Sequence, residues 1–130
     1  MPLPITLSSA AAAAFMAIWL GMRVGRVRQE AKIVHGDGGH DLLTRRMRAQ
    51  LNFVEYTPFV LLLIAAIEAS GRGTVWLQAT AAIYFLGRIA HAIGMDGEKL
   101  TKSRSAGITI TMLALVGLAI YAVLIASRIV

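Results

Sequence analysis

Arg48, Asn52 and Glu55 set a guanidinium, a carboxamide and a carboxylate at positions i, i+4 and i+7 of a single run. At about 100° per residue the three side chains fall within roughly 60° of one another on one helical face. From Ala49 to Ile67 that run is otherwise apolar enough to lie in a lipid bilayer, where an unpaired charge costs about 3 kcal/mol or more. Ionisable groups kept at such depth mark a binding, ion or proton site. Here the chemistry on offer is a bidentate fork for an anion, an amide for a polar group and a carboxylate for a cation.

A second polar stripe lies further along. Tyr84, Arg88, His91 and Met95 recur at i, i+4, i+7 and i+11 and place a phenol, a guanidinium and an imidazole on one side. Snorkelling of Arg88 and His91 to the membrane surface, with Tyr84 in an aromatic belt, would explain the stripe on its own. Two polar stripes on two helices must nonetheless face something, and each can neutralise the other. His91 has no second histidine or carboxylate three or four residues on, so no metal site is expected. The absence of cysteine excludes disulfides, thiolate metal sites and a cysteine nucleophile. Any thiol chemistry must use a thiol that the substrate brings.

These stripes need elements to hold them. Hydrophobic residues make up 57% of the 130 residues without counting glycine, above the 45–50% or so typical of soluble domains with glycine included. Four apolar runs give an all-α integral membrane fold, a bundle of four transmembrane helices in a single domain. Expected helices are residues 4–34, 41–70, 74–94 and 104–128, with Asp41 as the N-cap of the second. Breaks fall at His35–Gly39, Ser70–Gly73 and the polar segment Met95–Ser103. The first run has its basic residues after the apolar stretch, so it is expected to be a retained span. Pro58, one turn beyond Glu55, should kink the second helix. Gly21 and Gly25 are spaced for a close helix approach.

Of the 13 lysines and arginines, all but Arg72 and Arg128 lie in or beside the first and third loops. The positive-inside rule then places both termini outside and those two loops in the cytoplasm. The net charge of +6 follows from this asymmetry and suits anionic lipid headgroups. No nucleic-acid motif is present and no nucleic-acid partner is expected.

The segment Arg48-Ala49-Gln50-Leu51-Asn52-Phe53-Val54-Glu55-Tyr56-Thr57-Pro58 resembles the signature R-A-x-x-N-x-x-E-Y-x-P of the MAPEG family, the membrane-associated proteins in eicosanoid and glutathione metabolism. Gly36-Asp37-Gly38-Gly39 and Arg88-x-x-His91-x-x-Gly94 are similar to bacterial members. The resemblance implies a homotrimer in a bacterial-type inner membrane, with glutathione sites between subunits near the cytoplasmic face. It implies glutathione contacts for Arg48, Asn52, Glu55 and Tyr56, with Gln50 beside them and Arg88 and His91 contributed by the third helix. An arginine at the start of the fourth helix, Arg104, would stabilise the thiolate, with Lys102 as its rival. A second, Arg28 or alternatively Arg26, would face the acceptor side. Leukotriene-type members carry tyrosines where this chain has His91 and Met95, so a leukotriene acceptor is not implied.

Glutathione carries two carboxylates, an ammonium and a thiol, and the stripe can meet them: Arg48 a carboxylate, Glu55 the ammonium, Asn52 a peptide group. Lowering a thiol from about pKa 8.5 by two units takes about 2.7 kcal/mol and makes thiolate the major species at pH 7. The expected activity is therefore glutathione transfer, or glutathione peroxidation, on a hydrophobic electrophile or lipid hydroperoxide. Two other classes remain open: a non-catalytic lipid- or glutathione-binding scaffold, and a small proton-coupled multidrug transporter using Glu55.

Overall fold

The computed structural model describes residues 2–130, with Met1 outside the described residues. Four α-helices follow in chain order: α1 Pro4–Ala31, α2 Asp41–Ile67, α3 Val75–Gly94 and α4 Lys102–Ala126. No strand occurs among the described residues.

The ends of the helices have local causes. Pro4 opens α1 in its first turn, where a missing N–H costs nothing. The helix stops at Ala31, short of the expected residue 34, because Lys32 turns left-handed (φ 56°) and its N–H returns to the Arg28 carbonyl. At the start of α2 the N-cap is His40 rather than Asp41: its Nδ1 accepts the Leu43 N–H at 3.3 Å. Asp41 sits instead in the first turn, where its charge suits the helix dipole. The α-helix runs on through Pro58 and ends in a π turn, Glu68–Arg72, whose Gly71 has φ 82°. α4 begins two residues earlier than expected because Thr101 caps it, accepting the Arg104 N–H at 3.1 Å and donating to the Gly94 carbonyl at 3.0 Å.

α1, α2 with its π turn, and α4 are each long and apolar enough to cross a membrane. α3, which carries Gln78, Arg88 and His91 within 20 residues, is not among them. The interior is built from Leu20, Phe53, Ile64, Leu77, Tyr84 and Leu118, with Thr57 and Tyr84 joined by a 2.7 Å hydrogen bond. Phe15, Leu62, Leu86 and Leu113 point outward, and only 11% of the apolar stretch of α4 is buried within the chain. A surface of that kind is matched to lipid.

Two glycines let α3 and α4 meet at the end that holds the polar stripes. A Cβ at Gly107 would lie 2.5 Å from both the Gly87 carbonyl oxygen and His91 Cβ, and one at Gly94 would lie 2.3 Å from the Arg104 nitrogen. Any side chain there would push Arg104 away from His91. Gly21 and Gly25, expected to mark a close approach, do not make one within the chain: a Cβ at Gly21 would meet only the Gln50 side chain at 3.7 Å, and one at Gly25 nothing within 4 Å. The same end is clamped by Asp96, which accepts from Arg23 and, at 3.2 Å, from Arg46. α1, α2 and the end of α3 are thereby pinned together. Arg23 also donates to the Ala92 carbonyl at 2.9 Å and lies 4.9 Å over the Trp19 ring.

Candidate functional site

The expected stripe on α2 holds. Arg48, Asn52 and Glu55 line one cavity of about 230 Å³ together with Leu51, His91, Met95 and Arg104. Three helices contribute: α2 the first stripe, α3 its last turn, and α4 its first turn. Within this cavity Glu55 is the one carboxylate, set among the guanidinia of Arg48 and Arg104 and the imidazole of His91. The side chains of Arg48, Glu55 and Arg104 make no hydrogen bond within the described residues, so their valences are open to a ligand. Such a set can hold a zwitterion with excess negative charge, or an anion formed on binding.

A second, larger cavity of about 490 Å³ adjoins it, lined by Arg28, Asp37, Thr44, Met47, Arg48, Gln50, Leu51 and Val54. Arg48 and Leu51 belong to both. Arg28 is anchored there by donating to the Gly36 carbonyl at 2.7 Å, which fixes the loop between α1 and α2. In that loop the Gly39 N–H, and then the Thr44 hydroxyl, hold the Asp37 carboxyl below its ordinary value.

The paired candidates among the cations differ in position. Arg104 lines the smaller cavity, whereas Lys102 is exposed and outside it. Arg28 lines the larger, whereas Arg26 is exposed and outside that one. Gln50 falls with Arg28 rather than with the stripe. Tyr56 is half-buried and lines neither cavity. Arg88 lines neither as well: it is 2% exposed and donates to Asn52 Oδ1 at 2.6 Å and Thr111 Oγ1 at 3.0 Å.

Sequence reasoning missed Thr111 and the Asp96 clamp. Thr111 sits four residues after Gly107 in an uncharged run that also holds Thr109, and only that spacing hints at a buried role. Asp96 is the first acid after α3 and, among the described residues, the one acid paired with two arginines from other helices, a relation that no local spacing reveals.

The family model for the MAPEG family matches residues 6–124. The chain belongs to the MAPEG family. It is also 30% identical, over 92 residues, to the inner membrane protein YecN of Escherichia coli K12, covering 71% of this chain and 70% of that protein. The inner membrane protein YecN of Escherichia coli O6:H1 matches with the same figures. Those names state a membrane location and no reaction. The signature that carries the resemblance, Arg48 to Pro58, lies inside the matched region, as do Arg28, Arg88, His91 and Arg104. A multi-pass membrane bundle of this glutathione- and eicosanoid-related family is therefore what positions the cavity.

Proposed function

We propose that the chain is a membrane-bound glutathione transferase of the MAPEG type, with glutathione peroxidase capacity, in a bacterial inner membrane. The observation that carries this reading is the convergence of Arg48, Asn52, Glu55, His91 and Arg104 from three helices on one cavity. Its charges complement glutathione group for group: cations for the carboxylates and the developing thiolate, Glu55 for the ammonium, Asn52 for a peptide group.

In this reading Arg104 favours the ionised thiol by proximity, and the thiol proton passes to water. The thiolate sulfur then attacks a hydrophobic electrophile; a carbon–sulfur bond forms as the leaving group departs with its electron pair. With a hydroperoxide the sulfur attacks the outer oxygen, the O–O bond breaks, and an alcohol and a glutathione sulfenic acid result. A second glutathione thiol displaces water from that sulfenic acid to give the disulfide. The cavity within one chain is small for a whole tripeptide, and the family expectation of a homotrimer would let a neighbouring copy supply Arg28 and Gln50. Both termini would lie outside and the glutathione site would face the cytoplasm, with anionic lipid around the basic loops.

Ultraviolet difference absorbance at the thiolate band tests the proposal, on detergent-solubilised protein titrated with glutathione at pH 7. A saturable thiolate signal that Arg104→Ala removes is the expected result. Binding without thiolate would replace the enzyme by a binding scaffold; no binding at all would sink the glutathione reading.

A further inference from the structure

Arg88 lines neither cavity, yet what it touches sets the polarity of the groups that do. A guanidinium has only donors, so each of its partners must accept. Thr111 is free to accept because its own hydroxyl proton goes to the Gly107 carbonyl at 2.9 Å; Arg88 Nη1 then donates to Oγ1 at 3.0 Å. Nη2 donates to Asn52 Oδ1 at 2.6 Å. With Oδ1 turned to Arg88, the end of the Asn52 side chain that is left wholly unengaged is the amide nitrogen with its two N–H donors. Nη2 also comes within 3.4 Å of His91 Nδ1. Only an unprotonated Nδ1 can face a guanidinium, which puts the imidazole proton on Nε2.

The arrangement is costly in a way that packing alone does not justify. The ion pairs of the described residues are those of Arg23 and Arg46 with Asp96, so Arg88 is buried with no carboxylate partner. Its Nε has no hydrogen-bond partner at all. A buried cation without a counter-charge is strongly unfavourable unless something supplies the anion. Two of its partners, Asn52 and His91, line the smaller cavity.

We propose that Gly107, Thr111 and Arg88 form a buried positioning relay that turns Asn52 and His91 into donors toward the cavity. The wall they form selects an oxygen acceptor or a thiolate and rejects a donor, and the bound anion is the counter-charge that Arg88 lacks. Arg88 and Thr111 are positioning residues; neither touches the ligand. The glutathione part of this inference rests on the proposed function, and the polarity part does not.

Two measurements on the full chain in detergent separate them. Calorimetric titration with glutathione compares wild type with Asn52→Asp, Thr111→Val and Arg88→Lys. Asn52→Asp keeps the shape and the Arg88 contact but turns an acceptor toward the ligand. It should retain or raise the thermal midpoint while weakening glutathione binding about tenfold or more. Thr111→Val and Arg88→Lys should weaken binding by roughly threefold, yet at saturating glutathione the thiolate signal should persist because Arg104 is untouched. Nitrogen-15 spectra of histidine-labelled, ligand-free protein should show His91 with its proton on Nε2. Asn52→Asp binding glutathione as wild type does, or His91 carrying its proton on Nδ1, would overturn the relay. Wild type with the Nε2–H tautomer and no affinity for glutathione would support the relay and refute the glutathione reading alone.

Discussion

Glu55 and Glu68 stand on one helical arm, α2 and the π turn that ends it, and they meet opposite fates. Glu68 is buried and spends its oxygens on the first turn of α1: it accepts from Ile5 N–H at 2.9 Å, Thr6 N–H at 2.7 Å and the Thr6 hydroxyl at 2.7 Å. A carboxylate at a helix N-terminus satisfies donors that have no partner within the helix and complements the dipole. Glu55 is exposed to its cavity and accepts from nothing among the described residues, although the guanidinia of Arg48 and Arg104 and the imidazole of His91 surround it. The arginines divide in the same way: Arg23 and Arg46 are spent on Asp96, whereas the Arg104 side chain makes no hydrogen bond among the described residues. A charge that serves the fold has its valences filled by the chain, while one that serves a ligand is left open among groups of complementary sign.

That contrast breaks most visibly at Glu68. Glu68→Ala should strand three donors at the start of α1 and lower the thermal midpoint in detergent by roughly 5–10 °C. Glutathione affinity, measured on the folded fraction, should stay within about twofold of wild type. An unshifted melting curve would mean that the cap contributes nothing to the fold. Arg104→Ala should do the reverse. Returning a thiol from about pKa 6.5 to about 8.5 cuts the thiolate fraction at pH 7 by about 25-fold, and the turnover rate should follow it with no change in melting. Glu55→Gln should cost about tenfold in glutathione affinity through loss of one charge-assisted contact, again without a melting shift; a fall in stability instead would place Glu55 with Glu68 as a structural carboxylate.

The open site was more legible in the sequence than the groups that support it. Arg48, Asn52 and Glu55 are related by spacing within one helix, so a helical period suffices to bring them together. Arg104 and His91 join them through the close crossing at Gly94 and Gly107, and glycine spacing alone pointed to Gly21 and Gly25 instead. A small residue permits a close approach without saying which helix will arrive. Thr111 and Arg88 act across three helices, and their hydrogen bonds span 23 and 36 positions in the chain. Helix ends were blurred for a related reason. Lys32 adopts a left-handed conformation without being glycine, and His40 and Asp41 are adjacent residues that can both cap.

The smaller effects sharpen the comparison at the loop end of the bundle, where charges are partly wet. The Asp96 side chain is 33% exposed between arginines that are 13% and 17% exposed, so solvent screens much of its attraction. Asp96→Asn should therefore cost only about 1 kcal/mol, read by thermal or denaturant unfolding in detergent. Asp37 should matter least, and in a defined direction. Its carboxyl is held below the ordinary value of 3.8 by the Gly39 N–H and the Thr44 hydroxyl. A depressed carboxyl contributes its full stabilisation above the unfolded value and loses it as pH falls through the folded one. Hydrogen exchange at the Gly39 amide should thus show constant protection from neutral pH down to about pH 4, after correction for intrinsic rates, and a loss below that. Asp37→Asn should abolish the pH dependence while leaving the α2 amides unchanged. Protection that declines between pH 7 and 5 would assign the loop to a different titrating group and remove Asp37 from the set of carboxylates that the chain itself has satisfied.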